Sequence, residues 1–295
     1  MTQEHRPLRA ASWMIGSVIA FLLMAVAGRK VSGTHDTFEI MTWRSLIGFT
    51  IISLVILASG DLRQIKTDRL SRHLMRNTAH FAGQNLWFWA LTMIPLAQVF
   101  ALEFTAPIWV ILLAPLFLGE TLTRTKLFAA FLGFSGTLIV AQPGFGHIDP
   151  GVLAAAAAAV CFAVTAIFTK TLTRHESILS IMFWLTGMQL VMGAVMALQD
   201  GAMQWPTAQT APWLLLIGLC GLTAHFCLTT ALSLAPASTV IPVDFIRLPL
   251  AALLGWILYG EILGWEVYAG ASLILGGIWL NLRGTMSAVR PQKAT

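Results

Sequence analysis

Long apolar runs, separated by short polar or charged segments, follow one another along almost the whole chain. Most runs are apolar on all sides, and each has about the 20 residues with which an α-helix crosses a bilayer. The charges, prolines and glycines between them predict ten transmembrane helices, near residues 11–29, 38–58, 74–94, 96–118, 125–141, 150–170, 178–198, 211–233, 236–258 and 265–283. The predicted fold class is therefore an all-α integral membrane protein.

The composition also indicates that the chain lies in a lipid bilayer. Hydrophobic residues make up 57% of the 295 positions and charged residues only 11%, whereas soluble domains have roughly 25% charged residues. The mean hydropathy is +0.77. A single soluble core does not need this much apolar sequence, so the composition excludes an ordinary soluble protein.

The chain contains an internal sequence repeat. Residues 90–140 align without a gap on residues 231–281, with 13 of 51 positions identical, including Pro95 with Pro236 and Phe104 with Phe245. A period of 141 residues is too long for a solenoid repeat. It indicates a duplicated half-protein of five helices, and we place the halves at residues 1–145 and 146–295.

Lysine and arginine lie mostly on one side of the predicted topology. With a cytoplasmic N-terminus, 14 of the 18 fall in inner segments: Arg6, Arg9, Arg63, Lys66, Arg69, Arg72, Arg76, Arg124, Lys126, Lys170, Arg174, Arg283, Arg290 and Lys293. Cytoplasmic loops carry this excess, so both termini are predicted to be cytoplasmic. An odd number of helices per half makes the repeat inverted. The net charge of +5 follows from this bias, and we predict no nucleic-acid partner.

Polar side chains recur inside the predicted helices, where they are costly unless they serve a purpose. His80, Gln84 and Trp87 share one face of the third helix, because their spacing is i, i+4 and i+7. In the eighth helix, His225 is the repeat counterpart of Gln84. Both histidines are expected to act as hydrogen-bond donors between helices, with ligand binding as the alternative.

Charged residues recur at equivalent positions of the fourth and ninth helices. Glu103 aligns with Asp244, and Arg247 follows Asp244 at i+3, a spacing at which the two can neutralise each other. Glu103 has no partner on its own helix, and we predict it as the candidate for proton coupling. Arg44 has two interpretations, one in which it extends outward to the interface and one in which it reaches Glu103 or a substrate carboxylate.

Aromatic side chains flank the polar faces of the third and fourth helices. Trp87 and Phe100 are predicted to form part of an aromatic wall suited to a flat or apolar substrate. The predicted substrate-binding set is His80, Gln84, Trp87, Phe100, Glu103, His225, Asp244 and Arg247.

Two further patterns predict contacts between helices. The acids Glu120 and Glu261 are each preceded by glycine at a helix end, and we expect them to hydrogen-bond the end of a neighbouring helix. Small residues allow close approach of helices in membranes. We expect such packing at two glycine pairs, Gly133/Gly136 and Gly276/Gly277.

The chain resembles the drug/metabolite transporter superfamily, in its EamA-type branch. The resemblance rests on the five-plus-five duplication, on the apolar helix that ends in Leu118-Gly119-Glu120 and on its repeat counterpart at Tyr259-Gly260-Glu261. The resemblance covers nearly the whole chain and extends to bacterial exporters of aromatic amino acids. It implies a helix basket with a central cavity lined by the first, third, fourth, sixth, eighth and ninth helices. It also implies secondary transport of small metabolites.

These observations predict an inner-membrane carrier that works by alternating access, most simply as an exporter of aromatic or apolar amino acids. The alternative within transport is uptake of a vitamin or nucleotide-like metabolite, of the riboflavin or S-adenosylmethionine type. An enzyme is not expected, because the chain lacks HExxH and GxSxG motifs. A membrane scaffold remains the alternative outside transport. We expect a small-molecule substrate, lipid as the surroundings, no cofactor or metal, and a monomer that can function alone.

Overall fold

A computed structural model describes residues 6–31, 33–60, 62–65, 68–94, 99, 102–141, 150–199, 203–259 and 264–289. Within these residues the chain forms ten helices of 13 or more residues: α1 (Pro7–Val31), α2 (Thr37–Ser59), α3 (Leu70–Met93), α4 (Ala106–Leu118), α5 (Arg124–Ala141), α6 (Pro150–Thr173), α7 (Ile178–Ala197), α8 (Ala211–Leu234), α9 (Arg247–Tyr259) and α10 (Trp265–Val289). The predicted all-α fold with ten helices is confirmed. Six spans in this part of the chain are long and apolar enough to cross a membrane.

Local sequence signals determine several helix ends. At the start of α2, the Asp36 side chain accepts the backbone N–H of Glu39, and the Glu39 side chain accepts that of Asp36, at 2.9 and 3.1 Å. This capping box satisfies two backbone donors that the helix itself leaves unpaired. At the end of α4, Gly119 adopts a left-handed conformation with φ of 65°, which glycine tolerates best. The next residue, Glu120, is thereby turned away from the helix axis.

The fourth and ninth helices are shorter than predicted. The predicted helix 96–118 is continuous only from Ala106, after a turn at Phe104 and Thr105. The predicted helix 236–258 is a single α-helical turn (Ala237–Val240), a 3-10 stretch (Ile241–Ile246) and then α9. Proline lacks a backbone N–H, so Pro107 and Pro242 favour these interruptions. Both predictions of a continuous helix were wrong at equivalent positions of the two halves.

The helices pack in pairs that the repeat relates to each other. Helix α1 packs along α8, and its counterpart α6 packs along α3, which is the counterpart of α8. Helix α2 packs on its own counterpart α7, and α5 packs on its own counterpart α10. Exchanging the two halves therefore reproduces the packing, so an approximate two-fold axis relates them.

The axis inverts the second half. At the start of α1, the Arg6 backbone N–H donates to the Leu234 carbonyl at 3.0 Å, at the end of α8. Near the end of α6, Lys170 Nζ donates to the Ala235 carbonyl at 2.8 Å. The start of α1 and the end of its counterpart α6 thus lie at the same face, which we call the N-terminal face. Equivalent helices run in opposite directions.

Small residues bring α5 and α10 together, as predicted for part of the glycine pattern. A Cβ at Gly136 would meet the Gly270 carbonyl, and a Cβ at Gly277 would meet the Ala129 carbonyl. These two contacts are the same contact related by the repeat, since the residues pair at a shift of 141. Gly276 differs, because a Cβ there would meet nothing within 4 Å.

Glu120 makes the predicted structural contact at the N-terminal face. Its carboxylate accepts the backbone N–H groups of Ala237 and Ser238 at 2.7 and 3.1 Å. These are donors at the start of the turn Ala237–Val240, which that turn cannot satisfy itself. The acid therefore links the end of α4 to the interrupted segment that precedes α9. Its counterpart Glu261 lies outside the described residues, as does the predicted boundary between the halves.

Candidate functional site

Three charged side chains meet where the fourth and ninth helices are interrupted. Arg247 Nη2 donates to Glu103 Oε1 at 2.5 Å and to Asp244 Oδ2 at 3.0 Å. The indole Nε1 of Trp87, from α3, donates to the other carboxylate oxygen of Glu103 at 2.7 Å. We call Glu103, Asp244 and Arg247 the acid triad. Two carboxylates and one guanidinium give it a formal charge of −1.

The ion pair between Asp244 and Arg247 that the i, i+3 spacing allows is present, but it is only half of the arrangement. Glu103 lacks a partner on its own helix, and it finds one in the opposite half, 144 residues away. The side chains of Arg247 and Glu103 are 18% and 11% exposed, so the pair is largely withdrawn from solvent. Proton coupling through Glu103 stays a prediction, now for a carboxylate that is held by an arginine.

Aromatic rings surround the guanidinium of Arg247. Its Cζ lies 5.1 Å from the ring centre of Phe104 and 5.8 Å from that of Phe21. Phe104 contacts its repeat counterpart Phe245 at a ring-centre distance of 6.1 Å, so the two rings lie on either side of the approximate two-fold axis and close to it. Aromatic faces attract cations, so these rings stabilise the arginine inside an apolar bundle.

His80 and His225 lie edge to face, with ring centres 4.9 Å apart. They are 7% and 5% exposed, and none of their four ring nitrogens has a hydrogen-bond partner among the described residues. The expectation that they serve as hydrogen-bond donors between helices was wrong within this part of the chain. Phe21 contacts His225 at 5.5 Å between ring centres and so lies between the histidines and the acid triad.

Arg44 points inward rather than towards the membrane interface. Its Cδ lies 2.8 Å from the position that a Cβ of Gly221 would occupy, so α8 admits the side chain only because that residue is glycine. With the Gln84 amide oriented so that its oxygen faces Arg44, the oxygen accepts from Nη1 and Nη2 at 3.1 and 3.2 Å. Arg44 and His225 also line one cavity, together with Gln189 and Thr186.

Arg76 belongs to this interior and was missed by the sequence analysis, which counted it with the inner loop. The residue is 1% exposed in α3. Its Nε donates to Thr169 Oγ1 at 3.0 Å, and its Nη1 donates to Asn77 Oδ1 at 2.8 Å. The available signal was its spacing, because Arg76 lies one helical turn before His80, on the face that continues to Gln84 and Trp87.

The structure thus brings the predicted residues into two neighbouring groups. Glu103, Asp244, Arg247 and Trp87 form one, and His80, His225 and Gln84 form the other, together with Arg44. Phe100 lies outside the described residues. Interrupted helices at the interface of inverted repeats are a common setting for substrate sites in secondary transporters, because the breaks expose backbone and side-chain polar groups.

Comparison with known proteins identifies the architecture. The sequence matches the EamA-like transporter family twice, over residues 8–142 and 149–283. A solved crystal structure of 18% sequence identity superimposes with a TM-score of 0.82, over 95% of this chain and 98% of the other. That similarity concerns the fold alone.

Relatives with named substrates align along nearly the whole chain. A "Riboflavin transporter" of Brucella anthropi is 34% identical over 89% of this chain and 94% of its own length. A "Riboflavin transporter" of Rhizobium johnstonii is 31% identical, over 98% and 95% of the two chains. An "S-adenosylmethionine uptake transporter" of Rickettsia bellii is 23% identical, over 89% of each.

Proposed function

The chain belongs to the EamA-like transporter family, and we propose that this membrane transporter takes up riboflavin or a closely related flavin. The observation that carries the proposal is the 34% identity to a relative named as a riboflavin transporter, along nearly the whole of both chains. Relatives are named for the transport of riboflavin and for the uptake of S-adenosylmethionine, and these names favour the uptake of a vitamin over the export of amino acids. The alternative of the sequence analysis therefore replaces its main interpretation.

Two arginines of the interior, Arg44 beside the cavity and Arg76 on α3, favour a flavin over S-adenosylmethionine. The sulfonium and amino groups of S-adenosylmethionine make it a cation, and Arg44 and Arg76 repel a cation when they lack carboxylate partners. Riboflavin is uncharged, with a flat ring system that carries two carbonyl groups and a chain of hydroxyl groups. The half-buried rings of Phe21 and Trp87 offer apolar surfaces to such a ring system.

Transport would follow from the inverted duplication. Two similar halves can exchange conformations, so that a site between them opens to one side of the membrane and then to the other. The ion pair between Glu103 and Arg247 joins the halves at their interrupted helices, and we propose that it loosens and re-forms during this exchange. Because both halves lie in one chain, a monomer suffices, with both termini in the cytoplasm of a bacterial-type inner membrane.

Uptake of labelled riboflavin into proteoliposomes tests the proposal. We expect saturable uptake that excess unlabelled riboflavin abolishes and that excess S-adenosylmethionine or tryptophan leaves unchanged. Arg124→Gln serves as a control variant, because it removes an exposed charge at the start of α5. Flux of labelled tryptophan without flux of riboflavin would restore the amino-acid exporter, and flux of S-adenosylmethionine alone would also reject the proposal.

A further inference from the structure

Two arginines enter the interior without a carboxylate partner. Arg44 comes from α2 and Arg76 from α3, and neither forms an ion pair within the part of the chain that the structure describes. Arg76 Nη2 has no hydrogen-bond partner there at all. The contrast with Arg247, which holds two carboxylates, shows that the fold can neutralise a buried arginine where neutralisation is needed.

Histidine ring nitrogens without hydrogen-bond partners among the described residues lie beside these arginines. His80 lies one turn from Arg76 on α3, and its ring meets that of His225. His225 lines the same cavity as Arg44. The four ring nitrogens and Arg76 Nη2 all lack partners among the described residues. Burial of polar and charged groups without partners is costly, so a cluster of this kind indicates a partner that is not part of the protein.

We infer that Arg44, Arg76, His80 and His225 form a substrate subsite that takes a group with several oxygen acceptors, anionic or strongly polarised. Guanidinium groups donate paired hydrogen bonds to such groups, and neutral histidine adds further donors. The assignment rests on the proposed function only for the identity of the ligand. In a flavin, two chemical sources fit: the carbonyl edge of the ring system, or the phosphate of flavin mononucleotide.

The acid triad completes the polarity of the site. It lies on the other side of Phe21, whose ring centre is 5.5 Å from that of His225 and 5.8 Å from Arg247 Cζ. Carboxylates accept hydrogen bonds, and the hydroxyl chain of riboflavin donates them. A ligand with acceptors at one end and hydroxyl groups at the other therefore matches the order basic cluster, aromatic ring, acid triad.

The experiment measures the apparent melting temperature of the full-length protein in detergent, with riboflavin, lumiflavin, flavin mononucleotide or inorganic phosphate at constant ionic strength. A ligand that binds only the folded state raises this temperature. We expect Arg44→Gln to weaken the affinity of ligands that use the subsite about tenfold or more. Arg44→Lys keeps the charge but loses the paired donors, and we expect an intermediate loss. Arg124→Gln should bind all ligands as the wild type does.

The pattern among ligands identifies the source. An equal loss for riboflavin and for lumiflavin, which lacks the hydroxyl chain, assigns the subsite to the carbonyl edge. A loss confined to flavin mononucleotide and phosphate assigns it to an anion. The ligand-free Arg44→Gln protein should melt close to the wild type, because the variant loses the hydrogen bonds to Gln84 but also removes a charge without a counter-ion.

The inference is overturned if Arg44→Gln and Arg76→Gln bind every ligand as the wild type does. It is also overturned if they lower the melting temperature of the ligand-free protein without changing any affinity, because the arginines are then structural. Failure of the proposed function looks different: flavins leave the wild type unchanged, while phosphate still stabilises it in a manner that needs Arg44. If neither flavins nor phosphate stabilise the wild type, both proposals fall.

Discussion

Removing Arg247 is predicted to destabilise the protein more than removing either of its carboxylate partners. In the wild type, Glu103 and Asp244 each lie within 3.0 Å of the same guanidinium nitrogen. The substitution Arg247→Gln leaves these two carboxylates close together without a cation. Breaking a buried ion pair from one side costs about 3–5 kcal/mol, because a buried charge remains without a partner. The triad is 11–19% exposed at its side chains, so we expect the lower end of that range.

The two single carboxylate changes should cost less than the change of the arginine. Glu103→Gln leaves Arg247 paired with Asp244, and Asp244→Asn leaves it paired with Glu103. A loss of about 1.5 kcal/mol is expected for each, which is the lower end of the range for a hydrogen bond to a charged group. The triple change Glu103→Gln, Asp244→Asn and Arg247→Gln should recover part of the stability lost with Arg247→Gln, because no charge is left unpaired.

Apparent melting temperatures in one detergent provide the assay. For a chain of this length, about 3 kcal/mol corresponds to roughly 5 °C on the entropy scale of globular proteins. The variants are therefore expected in the order wild type, single carboxylate changes, Arg247→Gln, with the triple variant above Arg247→Gln. The shared-arginine arrangement would be refuted if Arg247→Gln had the melting temperature of the wild type. It would also be refuted if Glu103→Gln had a lower melting temperature than Arg247→Gln.

Three further predictions concern single positions. Glu103→Gln should lower the rate of transport and flatten its pH dependence in vesicles, and an unchanged rate and profile would reject Glu103 as the proton-coupling residue. Gly277→Val should cost about 1–3 kcal/mol by overpacking α5 against α10. Its matched control, Gly276→Val, should melt near the wild type because the space beside Gly276 is open. Equal melting temperatures of the two variants would contradict the close packing. Glu120→Ala should cost about 1–2 kcal/mol, as expected for a lost helix cap, and Glu120→Gln, which keeps one acceptor, should lose less when the same melting temperature is measured; an Ala variant as stable as the Gln variant would argue against the cap.

The sequence was sufficient to predict the number and order of the helices and the duplication. Apolar runs of membrane-spanning length are a strong signal, and the 141-residue shift placed Glu103 and Asp244 at equivalent positions. The interruptions at Phe104 and Ile241–Ile246 were missed, because a 3-10 turn and an α-helix can be equally apolar and the hydropathy pattern does not separate them. The prolines Pro107 and Pro242 carried that information.

The contacts of the site depend on pairs far apart in sequence. Arg76 was assigned to a loop because charges near the end of an apolar run usually mark one, yet Thr169 in the other half accepts its Nε–H. Likewise, Glu103 has its partner in Arg247, across 144 residues. The alignment of one half on the other identifies equivalent positions, but it does not reveal which side chains meet across the axis.

The sharing of Arg247 has a consequence for the energies of the two halves. A carrier with two identical inverted halves would have the same free energy when its site is open to one side of the membrane as when it is open to the other. Here the first half carries Ala106 where the second carries Arg247, so the equivalent acids Glu103 and Asp244 depend on a cation that always stays with α9. In the alternating-access cycle that we propose, the two end states are therefore expected to differ in free energy in the absence of substrate, which would give the carrier a preferred resting side.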